Sequence, residues 1–243
     1  MHQIVLEQWS RGSSGLHRLD PRAKIVPLLA LLAALATAHR SLPEFSALVF
    51  AALCLALAAA RLPLIPALAR AALVLPFVAA FAAVCWISGD PERAVSLTLK
   101  SYLSALAVLT VVATTPFAAL LAGIERLRAP VFLVNVAQFL YRYLFVISEE
   151  AQHMRKAASS RGAAGRSWEL GGARFHAAAG ALAVLFARSY GRAQDVHRAM
   201  VSRGFNGHLQ PLFDLKFGKA DAAFLTLASL APLAARIALE RLP

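Results

Sequence analysis

The chain has 243 residues, 59% of them hydrophobic and only 16% charged, with 25 lysines and arginines against 13 aspartates and glutamates. That apolar share excludes an ordinary soluble domain and predicts a polytopic, all-α membrane protein. The net charge of +12 is not laid out for nucleic acid: 14 of the 25 basic residues fall between Gly123 and Lys219, with no aromatic-interleaved basic strand and no zinc motif.

At the start of the chain, Glu7, Trp9 and Arg11 interrupt any apolar run before Leu16, so no cleavable signal is expected. The stretch Leu16-His17-Arg18-Leu19-Asp20-Pro21-Arg22-Ala23-Lys24 then reads as a helix start. Asp20 suits the N-cap and Pro21 the first helical position. Arg22 and Lys24 are expected at headgroup level, holding this end on the cytoplasmic side of the membrane.

Five apolar stretches approach the ~20 residues that cross a bilayer. They lie near Ile25–Ala38, Leu42–Ala60, Ala67–Ile87, Ala94–Ala113 and Asp221–Leu239, and their alanine content permits close helix packing. The first four bring the chain back to the cytoplasm near Thr114, where the basic third begins. The expected organisation is therefore a cytoplasmic N-terminal segment (1–24), four spans (25–114), a cytoplasmic module (115–219) and a last span (220–243). Arg70 and Lys100 are expected close to span ends, where they can snorkel to the surface. Cys54 and Cys85 sit in apolar stretches and read as small buried fillers.

Three helices are expected in the basic third. Thr115-Pro116 repeats the cap-plus-proline start, and Phe117, Leu120, Leu121, Ile124 and Leu127 come after it at helical spacing on one face. A second helix runs from about Val131 to Arg161, apolar first and polar later. Asn135, Gln138 and Arg142 would be costly facing lipid, so it is placed slanting beneath the spans. A third runs from about Ala173 to Arg203.

The second and third helices close on matching octets. Arg155-Lys156-Ala157-Ala158-Ser159-Ser160-Arg161-Gly162 returns as His197-Arg198-Ala199-Met200-Val201-Ser202-Arg203-Gly204. Glycine just past a helix end accepts the left-handed conformation that closes the last turn, so Arg161 and Arg203 are expected as final helical residues. Two well-capped helices with no further role would look the same. The duplication favours instead two rigid tips, each offering a guanidinium for bidentate capture of an acceptor on two copies of a soluble partner.

The run His17-Arg18-Leu19-Asp20-Pro21-Arg22-Ala23-Lys24 resembles the N-terminal signature of the T component of energy-coupling factor (ECF) transporters. The two Ser-Arg-Gly tips resemble that family's paired Ala-Arg-Gly coupling motifs. Arg188-Ser189-Tyr190-Gly191-Arg192-Ala193, with Arg198-Ala199-Met200 and Arg203-Gly204-Phe205, is similar to its cobalt-type branch. The resemblance implies a scaffold in the bacterial inner membrane, linking two cytoplasmic ABC ATPase subunits to a membrane-embedded substrate-binding S component. It implies that Ser160, Arg161, Gly162 and Ser202, Arg203, Gly204 dock one ATPase each, with serine where the family often has alanine. Cobalt is the implied cargo, with nickel or a vitamin as alternatives.

Other classes have weaker support. A membrane enzyme would draw on Glu149-Glu150 with His153, which reads better as a solvated helix face, and the chain has no P-loop, GxSxG or HExxH. The seven histidines are scattered without metal-type spacing, so neither a cofactor nor a resident metal is expected. A self-contained carrier would show ionisable groups inside its spans, and these are nearly absent.

Overall fold

The computed structural model describes residues 9–10, 12, 14–38, 42–163, 172–207 and 217–241. Among these the chain is helical, without a strand: α1 (Gly15–Arg18), α2 (Pro21–Thr37), α3 (Leu42–Ala59), α4 (Leu64–Ala71), α5 (Leu75–Ile87), α6 (Pro91–Ala113), α7 (Phe117–Arg126), α8 (Val131–Ala158), α9 (Gly172–Ser202) and α10 (Lys219–Arg241). A 3₁₀ turn, Ala72–Val74, joins α4 to α5. Pro76 brings no N–H for the Ala72 carbonyl, which takes the Leu75 amide at the tighter spacing instead. The turn between α5 and α6 uses Gly89 at φ 85°, as the Gly-Asp-Pro chemistry predicts.

The helices divide into two compact units. The first comprises Met1–Arg128 and Phe213–Pro243, and the second Ala129–Leu212. In the first, α6 is central and packs against α2, α3, α4 and α5. Its core mixes alanines (Ala34, Ala67, Ala107) with larger side chains (Leu35, Phe45, Leu57, Leu106), all buried. Alanine brings backbones close, and the Leu and Phe side chains fill what remains.

α2 and α10 form a parallel pair, bonded at both ends. The Asp20 amide donates to Asp221 near the two N-termini, and Arg236 donates to Thr37 near the other end. α2 and α10 therefore begin at the same end of the first unit. The outer surface of α4 and α5 is apolar, with Ile65, Leu73, Phe77, Phe81 and Ile87 all exposed. Such a patch has no place in water and fits lipid.

Among the described residues, Leu64–Ile87, Pro91–Ala113, Val131–Arg161 and Lys219–Ala238 are long and apolar enough to cross a membrane, while Pro43–Ala59 is a shorter apolar helix. The 17 residues of α2 reach only ~25 Å at 1.5 Å each, short of a full bilayer core.

α7 packs on α2 within the first unit. Gly123 makes this possible: a Cβ there would lie 2.8 Å from the Pro21 Cβ. The three helices expected as one module are thus grouped as α7 with the first unit and α8–α9 as the second.

Two cations expected to snorkel are held by the fold instead. The Arg70 guanidinium lies 4.0 Å above the Trp9 ring centroid. Lys100 stands mid-helix in α6 and donates to the Ala36 carbonyl at 3.1 Å, among the last four carbonyls of α2 that lack an intrahelical partner.

Candidate functional site

The N-terminal signature builds a buried polar cluster in the first unit. Asp20 caps α2 as expected: its Oδ1 accepts the Arg22 amide at 2.9 Å, and Pro21 opens the helix. Asp221 accepts twice, from the Asp20 amide at 2.9 Å and from the Gly218 amide at 2.8 Å. The second bond is half of a capping box, in which the third residue of α10 reaches back to the residue before the helix.

Lys24 corrects the expectation of a headgroup anchor. It is 3% exposed, and its ammonium donates to the Thr114 carbonyl at 2.9 Å and the Thr115 hydroxyl at 2.8 Å. Thr115 is accordingly not the cap of α7. Its hydroxyl serves Lys24, and Pro116 holds the cap position without a side-chain bond.

Arg22 stays at the edge, 3.7 Å from Asp20 Oδ1, and Arg18 is exposed. His17 bridges locally. Its Nε2 meets the Trp9 carbonyl at 2.9 Å and its Nδ1 the Ser14 hydroxyl at 2.7 Å. A carbonyl only accepts, so Nε2 carries a proton.

The second unit carries the paired octets. α8 and α9 run antiparallel: Asn135 near the start of α8 donates to the Gly207 carbonyl beyond α9 at 2.7 Å, and Arg188 pairs with Glu150 midway. Arg203 therefore lies beside the start of α8, whereas Arg161 lies at its far end. From Asn135 to Arg161 is 26 residues (161 − 135), so the two tips stand ~40 Å apart along the helix.

The octets are 42 residues apart (203 − 161), and the crevice between the helices repeats that offset. It is lined by Val146 with Arg188, Ile147 with Ser189 and Glu150 with Arg192, each pair differing by 42.

The tips share one local bond and differ in their ends. Ser160 Oγ donates to the Ala157 carbonyl at 2.9 Å, and Ser202 Oγ to the Ala199 carbonyl at 3.0 Å. At the second tip the chain stops as expected. Gly204 has φ 79°, the Phe205 amide donates to Met200 at 3.0 Å and the Gly204 amide to Val201 at 3.0 Å. These are the two bonds of a Schellman closure, with Arg203 as C-cap.

At the first tip the expectation of a stop at Arg161 fails: the backbone widens into a π-turn over Ser159–Ala163 and stays helical past Gly162. Arg161 and Arg203 are both exposed. Glu150, expected on a solvated helix face, is held by Arg188 and joins the two helices.

Residues 12–212 match the family described as cobalt transport protein, CbiQ. The chain belongs to the CbiQ family. The CbiQ cobalt transport protein of Rhodobacter capsulatus is 30% identical over 63% of this chain and 65% of its own length, so the match spans just under two thirds of that relative. An uncharacterised protein of Methanocaldococcus jannaschii is 26% identical over 91% of this chain and 82% of its own length. As a CbiQ-family chain with several apolar helices of spanning length, it is a polytopic helical membrane protein. The family match covers the signature residues and both tips, whereas Gly218 and Asp221 lie beyond it.

Several residues of these sites escape a reading of the sequence alone. Asp221 is legible there only as the opening of a span, although Gly218 with an acid three residues later is a capping-box spacing. Asn135 registers as a cost in lipid, and its partner carbonyl is 72 residues away. Gly123 and Thr114 carry no signal, because their roles are set by neighbours distant in sequence.

Proposed function

We propose that this chain is the scaffold and energy-coupling subunit of an ECF-type importer, with cobalt ion as the cargo. It joins two cytoplasmic ABC ATPase subunits, through Arg161 and Arg203, to a membrane-embedded S component that holds the ion. ATP is bound and hydrolysed by the partners, and the chain has no active site. The segment from Thr115 to Lys219 and the N-terminus face the cytoplasm of the cell that carries it in its inner membrane.

The observation that carries this reading is the placement of two matching arginine tips at opposite ends of an antiparallel helix pair. Two arginine tips of matching sequence ~40 Å apart suit two equal grooves on a two-fold partner better than one shared site. An exposed arginine on a helix end reaches carboxylates and carbonyls in a fixed fork geometry. The cobalt assignment rests on family membership and on the relative from R. capsulatus, whose name is cobalt transport protein.

The test is a mild-detergent pull-down of the tagged chain from native membranes, with the co-purifying proteins identified by mass spectrometry. Recovery of P-loop ATPases and a small membrane protein, with cobalt uptake lost on deletion, is the expected result. Recovery of the chain alone, where other membrane complexes stay whole, overturns the scaffold.

A further inference from the structure

The second unit joins the first by two chain crossings. The chain leaves the first unit after Arg128, beyond the end of α7, and re-enters it at Phe213, ahead of α10. Within the first unit, the start of α7, which leads to the outgoing crossing, and the start of α10, which follows the return, are both bonded to the first turn of α2. On the outgoing side, Lys24 holds the Thr114 carbonyl and the Thr115 hydroxyl. On the returning side, Asp221 holds the Gly218 amide and, with its other oxygen, the Asp20 amide. Gly123 lets α7 lie against Pro21, the residue between the clasped groups.

This arrangement is costly. Asp20, Lys24 and Asp221 are 5%, 3% and 8% exposed, and burying ions costs several kcal/mol each unless every group is paired. Apolar residues of like size would hold three helix ends together at least as firmly. What they would not do is set one register, because apolar contact is non-directional and hydrogen bonds are not.

We propose that Asp20, Lys24 and Asp221 form a positioning clasp that keeps the starts of α7 and α10 at one fixed separation, so that movement of the α8–α9 pair, carried through α7 and α10, reaches the membrane helices instead of being absorbed where those helices begin. For its consequence in transport this inference rests on the scaffold reading above. The clasp itself belongs to the first unit and is testable on the purified chain alone.

Spin labels on Phe117→Cys and Ala220→Cys, with Cys54 and Cys85 replaced by serine, report the separation by pulsed electron resonance on the full chain. The native clasp gives one narrow distance distribution. Lys24→Met removes the ammonium that holds Thr114 and Thr115 and takes a positive charge from beside the buried Asp20 and Asp221, and the distribution at least doubles in width. Thr115→Val removes one acceptor without stranding a charge, broadens the distribution to a lesser degree, and serves if Lys24→Met does not fold.

In the assembled complex, both variants retain ATPase subunits and ATP hydrolysis, while cobalt uptake per ATP falls by about tenfold for Lys24→Met and less for Thr115→Val. Unbroadened distances in a folded variant overturn the clasp. Broadened distances with uptake per ATP unchanged overturn its role in coupling. If the native chain recovers no ATPases, the scaffold reading fails, and the distance measurement still decides the clasp.

Discussion

The two arginine tips begin from nearly the same eight residues and end in different structures, and a third helix end explains the difference. At the C-terminus of α3, Arg61 adopts φ 56° without being glycine, and the Leu62 amide donates to Leu57 at 3.1 Å. Leu57 and Leu62 are both buried. They hold the positions where an apolar contact accompanies a Schellman closure. In α9 those positions are Met200 and Phe205, both half-buried, and the helix closes. In α8 they are Ala158 and Ala163, and it does not close. Glycine permits the closure and the apolar pair drives it. The motif that looks duplicated therefore yields one closed helix end at Arg203 and one wider turn at Arg161.

The largest expected effect comes from removing both plugs together. Arg161→Ala with Arg203→Ala should reduce ATPase recovery about a hundredfold further than either single change, because one remaining contact keeps the partner at high effective concentration. Equal recovery in the double variant and the native chain, in quantitative pull-downs, rules out the arginines as plugs. Of the singles, Arg203→Ala should cost more, since its helix end is closed by two backbone bonds and loses less entropy on docking.

The glycines sharpen the contrast at smaller magnitude. Gly204→Ala forces a side chain into the left-handed region and should destabilise the second tip by about 1–2 kcal/mol. Gly162→Ala replaces a glycine in helical backbone and should stabilise the first tip by about 0.5–1 kcal/mol. Amide exchange at the two ends reads both changes, and the comparison breaks if they carry the same sign.

How much of the molecule is legible in its sequence depends on how far apart the interacting residues lie. Apolar runs, prolines and the Asp20 cap act within a few residues, so the helices and their starts are legible, and the octets are legible because repetition needs no partner. The polar cluster is half legible. The signature residues stand out, but the bond from Asp20 to Asp221 spans 201 residues and that from Lys24 to Thr114 spans 90. Lys24 near the end of an apolar run reads as an anchor unless those carbonyl and hydroxyl partners are known to converge on it. Arg70 and Lys100 are misplaced for the same reason, because Trp9 and the end of α2 are supplied by tertiary packing. At the first tip, Arg161-Gly162 sends the correct local signal for a stop, and the missing apolar partner five residues apart outweighs it.

The smallest effect tests that cause directly. Ala158→Met with Ala163→Phe transplants the apolar pair of α9 onto the end of α8, beside a glycine already in place. The π-turn should give way to a closed end, with Gly162 moving to positive φ and the Ala163 amide turning to the Ala158 carbonyl. The gain should be a few tenths to ~1 kcal/mol, the scale of a single capping contact. Amide exchange over residues 158–163 should slow by about threefold, and chemical shifts at Gly162 should come to match those at Gly204. The reciprocal Phe205→Ala should loosen the second tip by a similar amount while leaving Gly204 free to turn. If the transplanted pair leaves the π-turn unchanged, the wider first tip is set by the segment beyond Ala163 and not by the missing contact.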